Sequence, residues 1–89
     1  MNVFKVTMKR KVDRNASKMP KVERERLKFL VHTLEVSGPV QPSMMNYSKL
    51  GPDKYHCHLS YRWVACWCCK NGNLEIEVYY VGSREKAPY

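Results

Sequence analysis

The sequence predicts an α+β fold in which two helices pack on one face of a mainly antiparallel, four-stranded sheet. Leucine and valine recur at i, i+3, i+4 and i+7 within residues 21–36, which is typical of an amphipathic helix. Residues 55–81 hold three short, strand-like apolar segments. Asn71 and Gly72 join the last two, and this pair supplies the positive φ angles that a tight hairpin needs. The predicted element order is therefore β-α-α-β-β-β.

The first part of the chain is predicted to form one strand and both helices. Val3–Met8 alternates apolar and polar side chains, as a strand does. Lys9–Lys18 is mostly polar, with its few apolar residues at helical spacing, so we expect a basic first helix. Pro20 stands at the first turn of the second helix, where proline is accepted. Gly38 is placed to end that helix.

The rest of the chain is predicted to be a connection followed by three strands. Residues 38–54 are rich in proline and glycine without a sustained period, which predicts an ordered connection without regular structure. The strands are Tyr55–Ser60, Trp63–Cys69 and Leu74–Val81. We assign residues 1–89 to a single domain, because 89 residues bury one modest core.

Alternation along the strands predicts which side chains face the helices. In the last strand, these are Leu74, Ile76, Val78 and Tyr80. The opposite parity forms the second face of the sheet, turned away from the helices and predicted to be open. Its predicted polar residues are two histidines, two glutamates and a tyrosine, with an arginine from the start of the neighbouring strand: His56, His58, Glu75, Glu77, Tyr79 and Arg62. Such a set contains an acid, a base and a phosphate clamp.

The charge of the chain is strongly positive. It has 16 Lys and Arg against 8 Asp and Glu, and residues 1–30 alone carry ten bases and three acids. A polyanion is therefore the favoured partner, although a basic surface can also serve solubility alone. The longest apolar run, Trp63–Cys69, has seven residues, and no signal or lipidation motif is present, so we expect a cytoplasmic protein without membrane contact.

The four cysteines, with the two histidines, raise the question of a metal site. In a strand, the C-x-C-C spacing sends Cys69 to the opposite face from Cys66 and Cys68, and no C-x-x-C pair is present. In a reducing compartment buried cysteines behave as small apolar residues. We therefore expect no metal site. A chain of 89 residues also has no room for a cofactor-binding subdomain, so we expect no cofactor.

The segment from Lys49 to Tyr89 carries several motifs together. Lys-Leu-Gly at 49–51 precedes a strand, Tyr61-Arg62 opens an apolar strand, and the chain ends in IEVYYVGSREKAPY. In these motifs the segment resembles the RelE/ParE toxin superfamily. Over residues 1–48 the resemblance lies in the element order and in the helix start MPKVERERL.

The resemblance implies a RelE-like fold and the toxin of a type II toxin–antitoxin system. RelE-like members repress translation by cutting mRNA on the ribosome without a metal, whereas ParE-like members poison DNA gyrase. Members of both branches are held inactive by a cognate antitoxin, so the implied partners are an acidic antitoxin, in a toxin–antitoxin hetero-oligomer, and mRNA on the ribosome.

Residue roles also follow from the resemblance. It implies that Arg62 holds the scissile phosphate and that Arg84 stabilises the negative charge that develops there. Tyr89 matches a C-terminal tyrosine that stacks on a base or takes part in proton transfer. His56 and His58 stand where RelE has two lysines. Ser83 stands where many relatives carry histidine.

These residue types suit metal-free RNA cleavage. A base removes the 2′-hydroxyl proton, the oxyanion attacks the neighbouring phosphorus, and an acid protonates the leaving 5′-oxygen. Histidine serves either proton-transfer role and arginine the phosphate clamp. The candidate catalytic residues are Arg62, Arg84, Tyr89, His56 and His58, and the candidate RNA contacts are Lys49, Lys54, Arg62 and Arg84.

The residues leave alternatives open. The histidines could lie on a solvated strand face without a function, the arginines could provide general phosphate attraction, and Tyr89 could be frayed at the terminus. Three functions therefore stand beside one another: a ribosome-dependent RNase toxin, a ParE-like gyrase inhibitor, and a non-catalytic module that binds nucleic acid or an antitoxin.

Overall fold

The computed structural model describes residues 3–70 and 72–89. Its elements are β1 (Lys5–Met8), α1 (Arg10–Ser17), α2 (Lys21–Ser37), β2 (Ser48–Lys49), β3 (Lys54–His58), β4 (Trp63–Cys68), β5 (Glu75–Ser83) and a 3-10 turn (Arg84–Lys86). The predicted α+β class, both helices and the four predicted strands are confirmed. Within the described residues no helix is both long and apolar enough to cross a membrane.

The sheet has five strands, in the order β1-β5-β4-β3-β2. β1 runs parallel to β5, and the other neighbours are antiparallel. The prediction of four strands is wrong by one, because β2 lies in the connection predicted to lack regular structure. Its two residues, Ser48 and Lys49, pair with His56 and Tyr55 of β3. A two-residue strand is too short to produce a periodic pattern.

The helices cover one face of the sheet with the apolar stripes that predicted them. Val12 and Ala16 of α1 are buried, as are the three leucines Leu27, Leu30 and Leu34 of α2. Pro20 is the N-cap of α2 and precedes its first turn. Gly38 ends the helix with φ 93°, a conformation that favours glycine.

The core lies between these helices and the facing side chains of β3, β4 and β5. Trp67 of β4 is 0% exposed, and its Nε1 donates a hydrogen bond of 2.9 Å to the Pro39 carbonyl. Its ring stacks at 6.1 Å on that of Tyr55. The buried indole therefore fixes both the sheet and the connection that follows α2.

A β-bulge changes which residues of β5 face the core. Cys66 pairs with Tyr80 but its neighbour Trp67 pairs with Val78, so one extra residue, Tyr79, stands in β5. Tyr80 consequently lies on the second face with Cys66, and its predicted place toward the helices is wrong. Period-two counting assumes a regular ladder, and the bulge breaks it.

The connection between β4 and β5 agrees only in part with the hairpin predicted from the sequence. Gly72 has φ 82°, as an Asn-Gly turn requires. Asn71, the other residue of that turn, lies outside the described residues. Leu74 was predicted to face the helices, but it precedes β5 and is 57% exposed.

Candidate functional site

The second face of the sheet is formed by His56, His58, Val64, Cys66 and Tyr80, opposite the helices. The sequence predicts that this face is open, but the structure shows it partly covered. Val64 and Cys66 are 0% exposed and His56 is 8% exposed. The C-terminal tail provides part of the cover, since the rings of Tyr89 and His56 lie with their centroids 4.5 Å apart. The remaining predicted members of this face, Glu75, Glu77 and Tyr79, are exposed or half-buried.

Two histidines lie next to each other on this face in different surroundings. The His56 Nδ1 is 3.0 Å from the Ser48 Oγ, and its ring centroid is 5.8 Å from that of His58. The His58 Nδ1 is buried without a hydrogen-bond partner among residues 3–70 and 72–89. Burial, and then the neighbouring His58, lower the pKa of His56, against the opposing effect of a hydrogen bond to the Ser48 backbone. A lowered pKa keeps the ring neutral and able to accept a proton.

Two arginines from distant parts of the sequence meet where β4 begins and β5 ends. The first residues of β4 pair with the last residues of β5, which brings the segment before Trp63 beside the turn after Ser83. The Arg84 N–H donates to the Arg62 carbonyl at 2.7 Å. Both side chains are exposed. They line an arginine cleft of about 520 Å³ formed by Tyr61, Arg62, Trp63, Ser83, Arg84 and Glu85.

Two contacts set the position of Arg84, one made by its side chain and one made within its own turn. Its guanidinium carbon lies 4.8 Å from the centroid of the Tyr61 ring, a cation–π contact. The Ser83 Oγ accepts a hydrogen bond of 3.3 Å from the Lys86 N–H, which caps the 3-10 turn. The turn and the tyrosine together direct the guanidinium toward the cleft.

Tyr89 contacts the His56 ring and lies close enough to Arg84 to be affected by its charge. Burial raises the pKa of Tyr89 and Cys66 raises it further, whereas the positive charge of Arg84 acts in the opposite direction. The phenol therefore stays protonated near neutral pH. Tyr89 is 53% exposed even though its ring contacts His56, so it is packed on the second face without being enclosed.

The two candidate lysines lie away from the arginine cleft, one on each face of the sheet. Lys54 shares the second face but lies at its other end, where its Nζ is 5.9 Å from the Tyr79 ring. Along β3 it lies two positions from His56, about 7 Å, and four positions from His58, about 13 Å. Lys49 is on the helix-covered side, with its Nζ 5.9 Å from the Tyr55 ring. The two arginines thus meet where β4 begins and β5 ends, and Tyr89 contacts His56. Lys54 lies beside His56 on the second face, at the far end of β3 from His58, and Lys49 lies on the opposite face.

Comparison with known proteins identifies the fold. No family model and no curated protein matches the sequence. Among solved structures, the archaeal RelE–RelB complex from Pyrococcus horikoshii aligns with a TM-score of 0.76 at 17% identity, covering 96% of this chain and 99% of that one. The chain has the RelE-like fold.

Two further structures agree with this assignment. The DinJ–YafQ toxin–antitoxin complex of Escherichia coli aligns with a TM-score of 0.75 at 11% identity, over 98% of this chain and 99% of that chain. The isolated RelE toxin of the same species gives 0.67 at 22% identity, over 96% and 88%. The RelE-like fold predicted from the motifs is therefore confirmed.

The cysteines of this RelE-like chain are free and divided between the two faces of the sheet. Cys69 lies in the core and Cys66 on the second face, as their spacing predicted. Burial raises the pKa of both Cys57 and Cys66 to about 12, so both thiols stay protonated. In the part of the chain that the structure describes, no three His, Cys, Asp or Glu side chains are grouped to hold a metal ion.

Two residues of the site have no role in the sequence-based predictions. Tyr61 is part of the Tyr-Arg motif, and its contact with Arg84 depends on a turn more than 20 residues away. Ser48 lies in the connection that carries no periodic signal. Only the register of β2 against β3 places it beside His56.

Proposed function

We propose that this protein is the toxin of a type II toxin–antitoxin system and that it represses translation by cutting mRNA on the ribosome without a metal ion. The observation that carries the proposal is the convergence of Arg62 and Arg84 in one cleft, next to the contact of Tyr89 with His56. The fold supports it as well, since the similar structures include RelE–RelB and DinJ–YafQ complexes.

In this mechanism the arginine cleft holds the scissile phosphate. A guanidinium presents a planar fork that binds two phosphate oxygens and stays charged at any relevant pH. Arg62 holds the phosphate in the ground state. Arg84, fixed by the Tyr61 ring and by its own N–H bond to Arg62, lies where negative charge accumulates as the phosphorus becomes five-coordinate.

The second face supplies the proton transfers. Neutral His56 takes the proton of the 2′-hydroxyl, and the 2′-oxygen forms a bond to the adjacent phosphorus. The bond from phosphorus to the 5′-oxygen breaks, and this oxygen takes a proton from Tyr89, whose raised pKa keeps it protonated beforehand. The products are a 2′,3′-cyclic phosphate and a 5′-hydroxyl. Each such proton transfer contributes a factor of about 10² to 10⁴ in rate. His58 lies next to His56, and its Nδ1 has no hydrogen-bond partner among the described residues.

The positive surface suits RNA and an acidic antitoxin. The net charge of +8 favours any polyanion through counterion release. Lys54 and Lys49 are the proposed RNA contacts away from the cleft, one on each side of the sheet. An acidic antitoxin would compete for the same surface in a toxin–antitoxin complex. Action on ribosomes places the protein in the cytoplasm.

The proposal is tested by inducible expression of the wild type and of Arg62→Ala, with labelled amino-acid incorporation followed against a DNA-damage reporter. We expect immediate arrest of protein synthesis from the wild type and none from Arg62→Ala. Arg62→Lys should retain part of the effect, since a point charge lacks the fork.

Arg14→Ala is the matched control, since it removes an exposed arginine from α1, away from the cleft. It should behave as the wild type. Arrest by a well-expressed Arg62→Ala protein would overturn the nuclease proposal. DNA-damage signalling from the wild type would instead indicate a ParE-like gyrase inhibitor, and the absence of any toxicity a non-catalytic binding module.

A further inference from the structure

Ser48 stands opposite the proposed general base. It is one of the two residues of β2, and the ladder pairs it directly with His56 of β3. Its Oγ lies 3.0 Å from the His56 Nδ1, within hydrogen-bond distance. The side of the ring that carries Nδ1 is therefore occupied by β2, and Nε2 is the nitrogen left for chemistry.

The neighbouring histidine shows what this contact adds. His58 is on the same strand and the same face, but its Nδ1 has no partner among residues 3–70 and 72–89. Of these two rings, only His56 is held at Nδ1 by a side chain from another strand. A hydroxyl accepts from a protonated Nδ1 or donates to a bare one, so this contact is compatible with both neutral tautomers. The hydrogen bond of His56 to the Ser48 backbone raises the pKa of the ring, as a bond to a protonated ring nitrogen does.

We propose that Ser48 is a positioning residue that holds His56 in the tautomer protonated on Nδ1, which leaves the Nε2 lone pair free to accept the 2′-hydroxyl proton. The Nδ1–H donates to the Ser48 Oγ before the reaction. The same bond stabilises the imidazolium formed when Nε2 takes the proton, because the Ser48 Oγ remains an acceptor for the Nδ1–H. This role rests on the proposed RNA cleavage.

The other groups near His56 do not hydrogen-bond its Nδ1, so the positioning role falls to Ser48. Cys66 faces it from β4, with a pKa of about 12, and Tyr80 from β5, whose pKa is also raised by burial, so both are neutral. Lys54 and His58 flank it on β3. Tyr89 covers it from the tail, with Arg84 near the phenol. None of these is in hydrogen-bond contact with its Nδ1.

Access of RNA to Nε2 requires Tyr89 to shift. Tyr89 is 53% exposed and is not enclosed by other residues, so its ring can shift as a nucleotide enters. The Ser48 bond is independent of this movement, because it comes from the opposite edge of the sheet. His56 therefore keeps its tautomer when the tail moves.

The test combines NMR of ¹⁵N-histidine-labelled protein with the rate of mRNA cleavage on purified ribosomes between pH 5 and 8. We expect Nδ1 to carry the proton in the wild type and in Ser48→Thr, which keeps a hydroxyl. Ser48→Ala should lose this preference and cleave about 3- to 10-fold more slowly, the effect of one ordinary hydrogen bond. The acid limb of its pH profile should move to lower pH, since the protonated ring loses an acceptor.

Ser17→Ala is the matched control, because Ser17 is an exposed residue of α1. It should change neither the tautomer nor the cleavage rate. A wild-type ring protonated on Nε2, or a tautomer unchanged in Ser48→Ala, would overturn the proposal. So would an active Ser48→Ala protein with the wild-type rate and pH profile. If the wild type itself cuts no mRNA, the proposed function fails, and the catalytic role of Ser48 fails with it even when NMR finds the Nδ1–H tautomer.

Discussion

His56 combines burial with a polar partner, and this combination gives it a defined chemical state. A buried histidine without a partner loses hydrogen bonds to water, which costs about 1–3 kcal/mol. The Ser48 hydroxyl offsets this loss at Nδ1, while burial and His58 keep the ring neutral. A lysine at such a position would instead bring a charge that burial opposes. The histidine thus suits a face that the tail partly covers.

Gly38 provides a test of the fold at the scale of one residue. It has φ 93°, and a Cβ built there would lie 2.8 Å from the Phe4 Cζ. Gly38→Ala should therefore lower the free energy of unfolding by about 1–3 kcal/mol, through backbone strain and the shift of the Phe4 ring. Chemical denaturation measures this change.

Gly51→Ala is the control for that substitution. A Cβ at Gly51 meets nothing within 4 Å, and its φ is not in the left-handed region. The change should alter stability by less than about 0.5 kcal/mol, as most surface substitutions do. Equal stability of the two variants would show that the end of α2 is built differently.

At the scale of elements, the C-terminal tail joins the two halves of the site. The 3-10 turn Arg84–Lys86 points its arginine into the cleft, and the residues beyond it place Tyr89 over His56. One short segment therefore sets both the proposed phosphate clamp and the environment of the proposed base. Moving this segment would disable both at once.

Removal of Pro88 and Tyr89 tests this coupling through the pKa of His56. Burial is the largest cause of its lowered pKa, so the truncation should raise the pKa toward the ordinary value of 6.5. Tyr89→Phe keeps the ring and should leave the pKa near that of the wild type. NMR titration of the His56 ring protons measures both.

The same truncation has a consequence for stability. In the wild type the unfolded chain binds a proton at His56 near pH 6.5 and the folded chain does so only at lower pH, so stability is present above this range and is lost as the pH falls through it. The truncated chain should lose less stability in acid. An unchanged pKa in the truncated chain would mean that Tyr89 does not cover His56 in solution.

The sequence predicts the elements well because their signals are local. The stripe of Leu27, Leu30 and Leu34 is buried as its spacing requires, and the three strands of residues 55–81 form where apolar runs lie between turn residues. The meeting of Arg62 and Arg84 was expected from a resemblance in motifs. No local pattern contained it.

Other features depend on contacts between distant segments and left no local signal. Ser48 reaches His56 only through the β2–β3 register, and Tyr80 changes face because of one extra residue in β5. The cover over His56 depends on the path of a tail that has no periodicity. Long-range register and tail packing are therefore what the structure adds to the candidate site.

At the scale of the whole molecule, the hydrophobic core and the candidate site lie on opposite faces of the sheet. The helices and the core face of the sheet carry the buried apolar residues, and the second face and its edge carry the histidines, Tyr89 and the arginine cleft. The chain as a whole carries a net charge of +8. The proposed substrate, an RNA with its negative charge and reactive phosphate, fits this division.

The most direct test is cleavage of a defined mRNA on purified ribosomes by the purified protein, with end-group analysis of the fragments. We predict a 2′,3′-cyclic phosphate and a 5′-hydroxyl at the cut, and loss of cleavage when the nucleotide before the cut is replaced by its 2′-deoxy form. Arg62→Ala and Arg84→Ala should each reduce the rate by about 10² or more, with Arg14→Ala unchanged. Intact mRNA, cleavage at the deoxy position, or full activity without either arginine would contradict cleavage by the arginine cleft and the second face.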